Sequence, residues 1–433
     1  MKVAARDPVL VIGDEMRIFL AVTRALGRAG HEVHAAPFNR DSPALASRYI
    51  SVEHRVPLYQ DDPEGWLAAL RTILRDNRIA LVIPTCDRAI LPLHEHRDAL
   101  AGYRLAIPPQ GAMTALFDKE RTRELCARLG IPVAEGGRLS SDDTAHSLAE
   151  RYGLPLIVKP RRSFWLDRME TWGRVHVVDD VAALDKVLSE IDDRSRYLVE
   201  KRFDGCGVGV SVLASDGRIL QAFQHRRLRE GRGGSSSYRV SETLNEGLLE
   251  ACRRVCGELG MTGVCMFEFR FNRDTGEWIL IETNARFWGS MSLPLSLGVD
   301  FPNLLYDLLV NGQVQASRPY PADVRSRNFV LDGRNLASLM LGKAPLVEKL
   351  RELRDFLIQP LSWATGRERS DSFVIDDLRP ALWECVTLLN PGNLARIGRN
   401  LLPSKPVAAP VTPPLADTHV VEPVVATEPQ PQN

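Results

Sequence analysis

The chain has 433 residues, of which 44% are hydrophobic and 25% are charged. This composition is typical of a globular protein that buries several cores without needing disulfide bonds. Basic residues and acidic residues each number 55, so the charge balance argues against a general nucleic-acid-binding protein. No apolar run approaches the roughly 20 residues of a membrane-spanning helix, and the first apolar stretch is too short for a signal peptide. We therefore expect a cytoplasmic protein without a transmembrane segment.

The first 112 or so residues alternate strand and helix patterns. Strands are predicted at 9–12, 31–36 and 79–83, and helices at 15–29 and 64–76. This alternation predicts parallel strands joined by right-handed helical crossovers. Only one glycine follows the first strand, so the GxGxxG signature of a dinucleotide site is absent.

The pattern changes after residue 113. Amphipathic helices are predicted at 118–129 and 180–191, with a strand between them at 154–160. From Tyr197 the sequence becomes rich in strands, and it ends in a hairpin whose turn is the stretch NRDTG. The chain then reads as mostly helical until a proline-rich tail, which we expect to be disordered.

Two glutamates and an asparagine mark that last hairpin, in the stretches MFEFRF and ILIETN. Because side chains alternate between the two faces of a strand, Glu268 and Glu282 are predicted to meet on one face, with Asn284 beside them. Carboxylate and amide oxygens suit a hard cation such as Mg²⁺, and Arg286 nearby suits a phosphoryl or carboxylate group. The alternative is an edge hairpin whose glutamates face solvent and bind nothing.

Two lysines and a hinge are further candidates. Lys159 ends an apolar strand, and Lys119 opens a helix, where backbone N–H groups favour anions. The strand that begins at Tyr197 runs into FDGCGVGV, and such a hinge can present backbone groups to a purine edge. The alternatives are solvated lysines and an ordinary strand followed by a glycine turn.

These motifs, in this order, resemble the ATP-grasp superfamily over about residues 5–315, and most closely its carboxylate–amine ligase-like branch, related to carbamoyl phosphate synthase and biotin carboxylase. The resemblance implies a fold that combines α/β and α+β parts. It implies a Rossmann-like pre-ATP-grasp domain at 1–112 and a two-lobed ATP-grasp domain at 113–315 (lobes 113–196 and 197–315). The residue pattern itself predicts a mostly helical C-terminal region at 316–402 and a disordered tail at 403–433.

The resemblance also implies roles for individual residues. It implies phosphate contacts from Lys119 and Lys159, adenine contacts from Glu200, Lys201 and Phe203, and Mg²⁺ (or Mn²⁺) ligands in Glu268, Glu282 and Asn284. Arg286 and Arg226 would contact the transferred phosphoryl group or the substrate, with His225 beside Arg226 in the cofactor site.

Two departures from the superfamily pattern stand out. Relatives often place a ribose-binding acid seven residues after the hinge glutamate, where this chain has Gly207. Relatives also often have a glycine-rich loop after the second lysine, whereas this chain reads RRSFWLDRMETWG. Ser163 and the two arginines before it are candidates to replace glycine amides as phosphate contacts. The alternative is that the aromatic residues simply pack this loop down. The glycine-rich run at 231–237 is a second candidate lid or an ordinary loop.

The implied function is an ATP- and Mg²⁺-dependent ligase that joins a carboxylate to an amine through an acyl phosphate and releases ADP and phosphate. Two alternatives stay open: a carboxylase or carbamoyl-phosphate-type enzyme, and a non-catalytic nucleotide-binding module that regulates a partner. The expected partners are a small-molecule carboxylate and amine, not nucleic acid, and a homo-oligomer is left open.

Overall fold

The computed structural model describes residues 6–166, 170–171, 175–230, 236–313, 317–342 and 344–389. The predicted tail at 403–433 and most of the candidate lid at 231–237 lie outside the described residues. The strands are β1 (Arg6–Ile12), β2 (His31–Ala36), β3 (Ile50–Glu53), β4 (Leu81–Pro84), β5 (Gly136–Arg138), β6 (Leu156–Pro160), β7 (Phe164–Trp165), β8 (Glu170–Thr171), β9 (His176–Val178), β10 (Tyr197–Lys201), β11 (Cys206–Ser215), β12 (Arg218–Glu230), β13 (Ser236–Glu242), β14 (Gly263–Phe271), β15 (Trp278–Asn284), β16 (Arg325–Arg327) and β17 (Glu368–Ser370).

The helices are α1 (Ile18–Arg28), α2 (Pro63–Asp76), α3 (Asp87–Glu95), α4 (Gln110–Leu116), α5 (Lys119–Arg128), α6 (Ala145–Tyr152), α7 (Val181–Ser189), α8 (Glu246–Glu258), α9 (Ser292–Ser296), α10 (Phe301–Asn311), α11 (Phe329–Leu341), α12 (Leu346–Ala364) and α13 (Arg379–Leu389). Within the described residues, no helix is both long enough and apolar enough to cross a membrane.

The N-terminal sheet is parallel, in the order β3-β2-β1-β4. Its central strand β1 is buried on both faces, which explains its unbroken apolar run. The α/β prediction for this part is confirmed. Helix α1 begins three residues later than predicted, because Gly13 adopts a φ of 145° at the end of β1 and residues 14–17 form a loop. That loop lies at the carboxyl end of the sheet, where open α/β sheets gather ligands.

Two further sheets follow along the chain. A four-stranded sheet has the order β5-β10-β6-β9, and its pairs are antiparallel. A seven-stranded sheet has the order β15-β14-β11-β12-β13-β16-β17. Its last two strands come from the region predicted to be mostly helical, so that region is helical only in part. It extends the sheet because β16 pairs with β13 and β17 pairs with β16.

The N-terminal part and the seven-stranded sheet share one hydrophobic core. Phe19 of α1 and Val9 of β1 belong to the same buried cluster as Trp288 and Phe301. The rings of Trp288 and Phe301 meet edge to face, with centroids 5.1 Å apart. This packing brings the loop after β1 close to the segment that follows β15.

Candidate active site

A cleft of about 790 Å³ opens between the four-stranded and seven-stranded sheets, and the loop after β1 reaches into it. This volume is within the usual range for a small-molecule site. Ten of the twelve candidate residues line it: Lys159, Ser163, Glu200, Lys201, Phe203, His225, Glu268, Glu282, Asn284 and Arg286. Lys119 lines a smaller adjoining pocket that shares Ser163, Glu282 and Asn284 with the cleft.

The hairpin β14–β15 brings the acidic candidates together. Glu268 lies directly opposite Glu282 in the antiparallel register, and Asn284 lies opposite Met266. The side-chain amide Nδ2 of Asn284 donates to Glu268 Oε1 over 3.0 Å. Glu268, Glu282 and Asn284 therefore share one wall of the cleft, which we call the acidic wall.

Glu282 joins this wall to the first lysine. Lys119 Nζ is 3.1 Å from Glu282 Oε1 and donates to Ser163 Oγ over 2.8 Å. Burial alone would raise the pKa of the Glu282 carboxyl, but the positive charges of Lys119 and Lys159 outweigh burial and hold this pKa well below its usual range. Glu282 is therefore ionised at neutral pH and available to a cation.

The second lysine is held by the hinge glutamate. Lys159 Nζ is 2.7 Å from Glu200 Oε2, and Arg123 Nη1 is 2.8 Å from Glu200 Oε1. Glu200 thus reaches the cleft with its carboxylate already paired to two cations, which differs from the adenine contact predicted for it. The backbone N–H of Lys201 donates to the Glu135 carbonyl over 2.7 Å and is not available to a ligand as a donor.

Arg286 is anchored from the N-terminal part of the chain. Its Nε and Nη2 donate to the two carboxylate oxygens of Asp87 over 2.6 and 3.3 Å. Burial would lower the pKa of Arg286, but Asp87 outweighs burial and raises it. The sequence analysis missed Asp87. The available signal was its position as the first residue of α3, just beyond the carboxyl end of β4.

The structure contradicts the placement predicted for Arg226. Its Nε lies 2.6 Å from Glu242 Oε1, and its side chain does not line the cleft. Side chains alternate along β12, so its neighbours His225 and Arg227 face the cleft instead. Arg227 contacts Glu268 directly. The cation that reaches the acidic wall from this strand is therefore Arg227.

Gly207 leaves space for an acid from a neighbouring strand. A Cβ atom on Gly207 would lie 2.2 Å from Glu230 Oε1. Glu230 lines the cleft, and its Oε2 accepts from Arg270 Nη2 over 2.7 Å. Its Oε1 is buried without a hydrogen-bond partner in the described part of the chain. A carboxylate thus occupies the region where the sequence shows only a glycine.

The side chains of the acidic wall fit a magnesium site. All the candidate ligand atoms are oxygens, which Mg²⁺ prefers, and it commonly takes only one or two carboxylates together with phosphate oxygens and water. Among the described residues, no group of three His, Cys, Asp or Glu side chains is able to hold a metal ion. The oxygen atoms of Glu268, Glu282 and Asn284 are of the kind that Mg²⁺ takes beside phosphate oxygens and water.

Comparison with known proteins identifies relatives of this chain. Residues 193–329 match the family model described as ATP-grasp in the biosynthetic pathway with Ter operon. The chain is 28% identical over 200 residues to a carbamoyl phosphate synthase large chain of Thermus thermophilus, a match that covers 43% of this chain and 18% of that protein. It is 28% identical over 234 residues to the formate-dependent phosphoribosylglycinamide formyltransferase of a Synechococcus species, covering 50% of this chain and 56% of that protein.

A solved structure shares the fold. The biotin carboxylase domain of Hydrogenobacter thermophilus 2-oxoglutarate carboxylase, determined with MgADP, ADP and bicarbonate, superimposes with a TM-score of 0.57 at 16% identity. The superposition covers 73% of each chain. The matched family segment, the curated relatives and the shared fold together relate this chain to the ATP-grasp carboxylate–amine ligases.

Proposed function

We propose that this protein is an ATP- and Mg²⁺-dependent ligase that joins a carboxylate to an amine. The observation that carries the proposal is the meeting of two lysines with the paired carboxylates of the β14–β15 hairpin, in the cleft and the smaller pocket that adjoins it. The biotin carboxylase domain that shares this fold holds MgADP, which supports the nucleotide and the metal. The matched relatives are longer than the segments they share with this chain, so the complete activity is part of the proposal.

In this proposal the basic residues bind the phosphates and the acidic residues bind the metal. Lys119 and Lys159 neutralise the phosphates of ATP, and Glu268, Glu282 and Asn284 hold Mg²⁺, which offsets the negative charge of the transferred group. Arg286, fixed by Asp87, lines the same cleft and adds a positive charge that stabilises the transferred phosphoryl group. Catalysis of this kind depends on positioning and electrostatics, so no nucleophilic side chain is needed.

The proposed reaction has two steps. A carboxylate oxygen of the acid attacks the γ-phosphorus of ATP, and the bond to the β–γ bridging oxygen breaks, which gives an acyl phosphate and ADP. The amine then attacks the carbonyl carbon, phosphate leaves with the electron pair of the C–O bond, and the nitrogen loses a proton. Water must be excluded throughout, because it would hydrolyse the acyl phosphate.

Melting temperatures with and without Mg-ATP test the nucleotide site. A ligand at 100 times its Kd stabilises a protein by about 2.7 kcal/mol. We expect a clear rise for the wild type and for Glu277→Ala, an exposed glutamate of the same hairpin, and a smaller rise or none for Lys159→Ala and Glu282→Ala. ADP release is then measured against a panel of acids and amines. Absence of a shift in the folded wild type, or wild-type ADP release by Glu282→Ala, would contradict the proposal.

A further inference from the structure

Arg17 brings a positive charge into the cleft from the loop after β1. Its Nε donates to the Gly289 carbonyl over 3.1 Å, and its Nη2 donates to the Ser236 carbonyl over 3.4 Å. Both acceptors are neutral, and no carboxylate of the described residues lies within ion-pairing distance of this guanidinium. Arg17 lines the same cleft as the acidic wall.

The lack of a side chain at Gly289 leaves room for the Arg17 guanidinium. A Cβ atom on Gly289 would lie 2.5 Å from Arg17 Nη2 and 2.7 Å from its Cζ. Those distances are shorter than real contacts, so any larger residue at position 289 would displace the guanidinium. The position of Arg17 is therefore fixed by its partner segment as well as by its own loop.

No carboxylate of the described residues forms an ion pair with Arg17, and the charges of Asp371 and Glu15 that favour it act together with the opposing charges of Arg239 and Arg227. Burial, followed by the positive charge of Arg239, lowers the pKa of Arg17 to about 10, so it remains charged at neutral pH. Arg239 and Arg227 each contact a carboxylate, Asp371 and Glu268 respectively. A charge that is buried without an opposite partner is costly, and an anionic ligand would remove that cost.

Two further polar side chains of the cleft have uncommitted nitrogens. Trp288 Nε1 and His225 Nδ1 are buried without hydrogen-bond partners in the part of the chain that the structure describes. Trp288 precedes Gly289, and Arg17 is among the charges that act on His225. Unsatisfied buried nitrogens are rare in folded proteins and call for a specific explanation. An oxygen-rich ligand group on Arg17 would supply acceptors at this end of the cleft.

We propose that Arg17 binds an anionic group of the acid substrate other than the carboxylate that is phosphorylated, so that the substrate is a carboxylic acid with a second negative charge. This inference rests on the proposed ligase function. The second charge is a carboxylate or a phosphate, since a guanidinium pairs with either through two parallel hydrogen bonds.

The placement of Arg17 separates it from the phosphate end of the cleft. Arg17 is held by the carbonyls of Gly289 and Ser236. Lys119 and Lys159 are held by other groups, the carboxylates of Glu282 and Glu200 respectively. The carboxylate that reacts must lie beside the γ-phosphate and hence beside those lysines. Arg17 is left to hold the other end of the same molecule.

Calorimetry on the full chain, saturated with Mg²⁺ and a non-hydrolysable ATP analogue, tests this assignment. The probes are glutarate and 3-phosphonopropionate, which carry two anionic groups, and valerate, which has the length of glutarate but one. Because hydrogen bonds to charged groups are among the stronger ones, we expect the dianions to bind about 10-fold or more tightly than valerate. Whichever dianion binds more tightly identifies the second group as a carboxylate or a phosphate.

Variants locate the effect. Arg17→Gln is expected to reduce the preference for dianions to within about threefold while leaving the affinity for valerate unchanged. Gly289→Ala keeps the charge but pushes the guanidinium aside, and it should give the same loss. Arg40→Gln, an exposed arginine paired with Glu53 outside the cleft, should keep the wild-type preference.

The outcomes distinguish this inference from the function on which it rests. If the folded wild type does not bind the ATP analogue, the proposed ligase function fails. If the analogue binds but no dianion binds better than valerate, only the assignment of Arg17 fails. The assignment also fails if Arg17→Gln lowers the melting temperature and leaves the preference for dianions intact, since Arg17 would then merely join two parts of the fold.

Discussion

The two walls of the cleft bury their charges in different ways. On the hairpin wall, formed by β14 and β15, Glu282 lies beside two lysines and its carboxyl pKa is held well below the usual range. The N-terminal wall is the loop of residues 13–17, which reaches the cleft through Arg17. In this loop burial raises the carboxyl pKa of Glu15 to about 7, and the hydrogen bonds of the Arg17 guanidinium go to carbonyl groups. On both walls burial raises the pKa of a carboxyl group, and a nearby positive charge decides whether the net shift is upward or downward.

The difference indicates what each wall is prepared to bind. The hairpin wall has a nearly complete set of charges, so a metal and phosphates would exchange partners with groups that are already ionised and oriented. The N-terminal wall is less complete, because the Arg17 guanidinium forms no ion pair with a described residue. Asp87 is the exception, since it comes from the N-terminal part of the chain and pairs with Arg286 of the hairpin wall.

Removing the charge of Asp87 should give the largest effect on stability. Asp87→Asn leaves the Arg286 guanidinium in a mostly buried site without its counter-charge, because each side chain of the pair is only 16% exposed. It also removes an acid from the first turn of α3. We expect the free energy of unfolding to fall by about 2–4 kcal/mol, measured by urea denaturation.

A matched exposed pair provides the control. Arg75 and Asp76 are 69% and 55% exposed, so Asp76→Asn should change the free energy of unfolding by less than about 0.5 kcal/mol. Equal losses in the two variants would mean that Asp87 does not compensate the buried charge of Arg286. The N-terminal part of the chain would then not contribute to the charge balance of the hairpin wall.

Neutralising Glu15 should have a smaller effect, and one that depends on pH. The folded-state pKa of about 7 lies above the usual 4.5. The protonated carboxyl therefore carries no penalty below pH 4.5, and stability is lost as the pH rises through 7. Glu15→Gln should match the wild type near pH 5 and be more stable than it at pH 8, by roughly 1–3 kcal/mol.

Melting temperatures of both proteins from pH 5 to pH 8.5 check this expectation. Glu64→Gln, an exposed acid in the first turn of α2, serves as the control and should track the wild type at every pH. A difference between wild type and Glu15→Gln that stays constant with pH would show that no buried acid titrates on the N-terminal wall.

Sequence patterns predicted what depends on local periodicity. Strand alternation is enough to place Glu268 and Glu282 on one face, and the alternation of strands and helices is enough to predict the parallel N-terminal sheet. The prediction for Arg226 comes from the resemblance alone. A shift of one residue along a strand turns a side chain to the other face of a sheet, and in the structure it is Arg227 that faces the cleft.

The residues that the sequence analysis missed depend on contacts between distant segments. Arg17 reaches the cleft, and Asp87 the smaller pocket beside it, because the N-terminal sheet shares a core with the segment after β15. β16 and β17 are three residues each, too short to show a period, and they pair only because the seven-stranded sheet has an open edge. No local pattern carries that information, because it arises from tertiary packing.

A substitution of Glu230, which lies at the end of the cleft near the hinge, should give the smallest and most specific effect. Its Oε1 stands where a side chain at position 207 would be and has no described hydrogen-bond partner, so a ligand hydroxyl is its natural complement. Glu230→Gln keeps the shape but weakens the acceptor, and we expect the Kd of Mg-ATP to rise several-fold, roughly 1 kcal/mol. Glu242→Gln, on the opposite face of the sheet with Arg226, is the control. If 3′-deoxy-ATP and 2′-deoxy-ATP lose no more affinity in the wild type than in Glu230→Gln, the carboxylate serves only its ion pairs with Arg270 and Arg227, and Gly207 marks a ribose site without an acid.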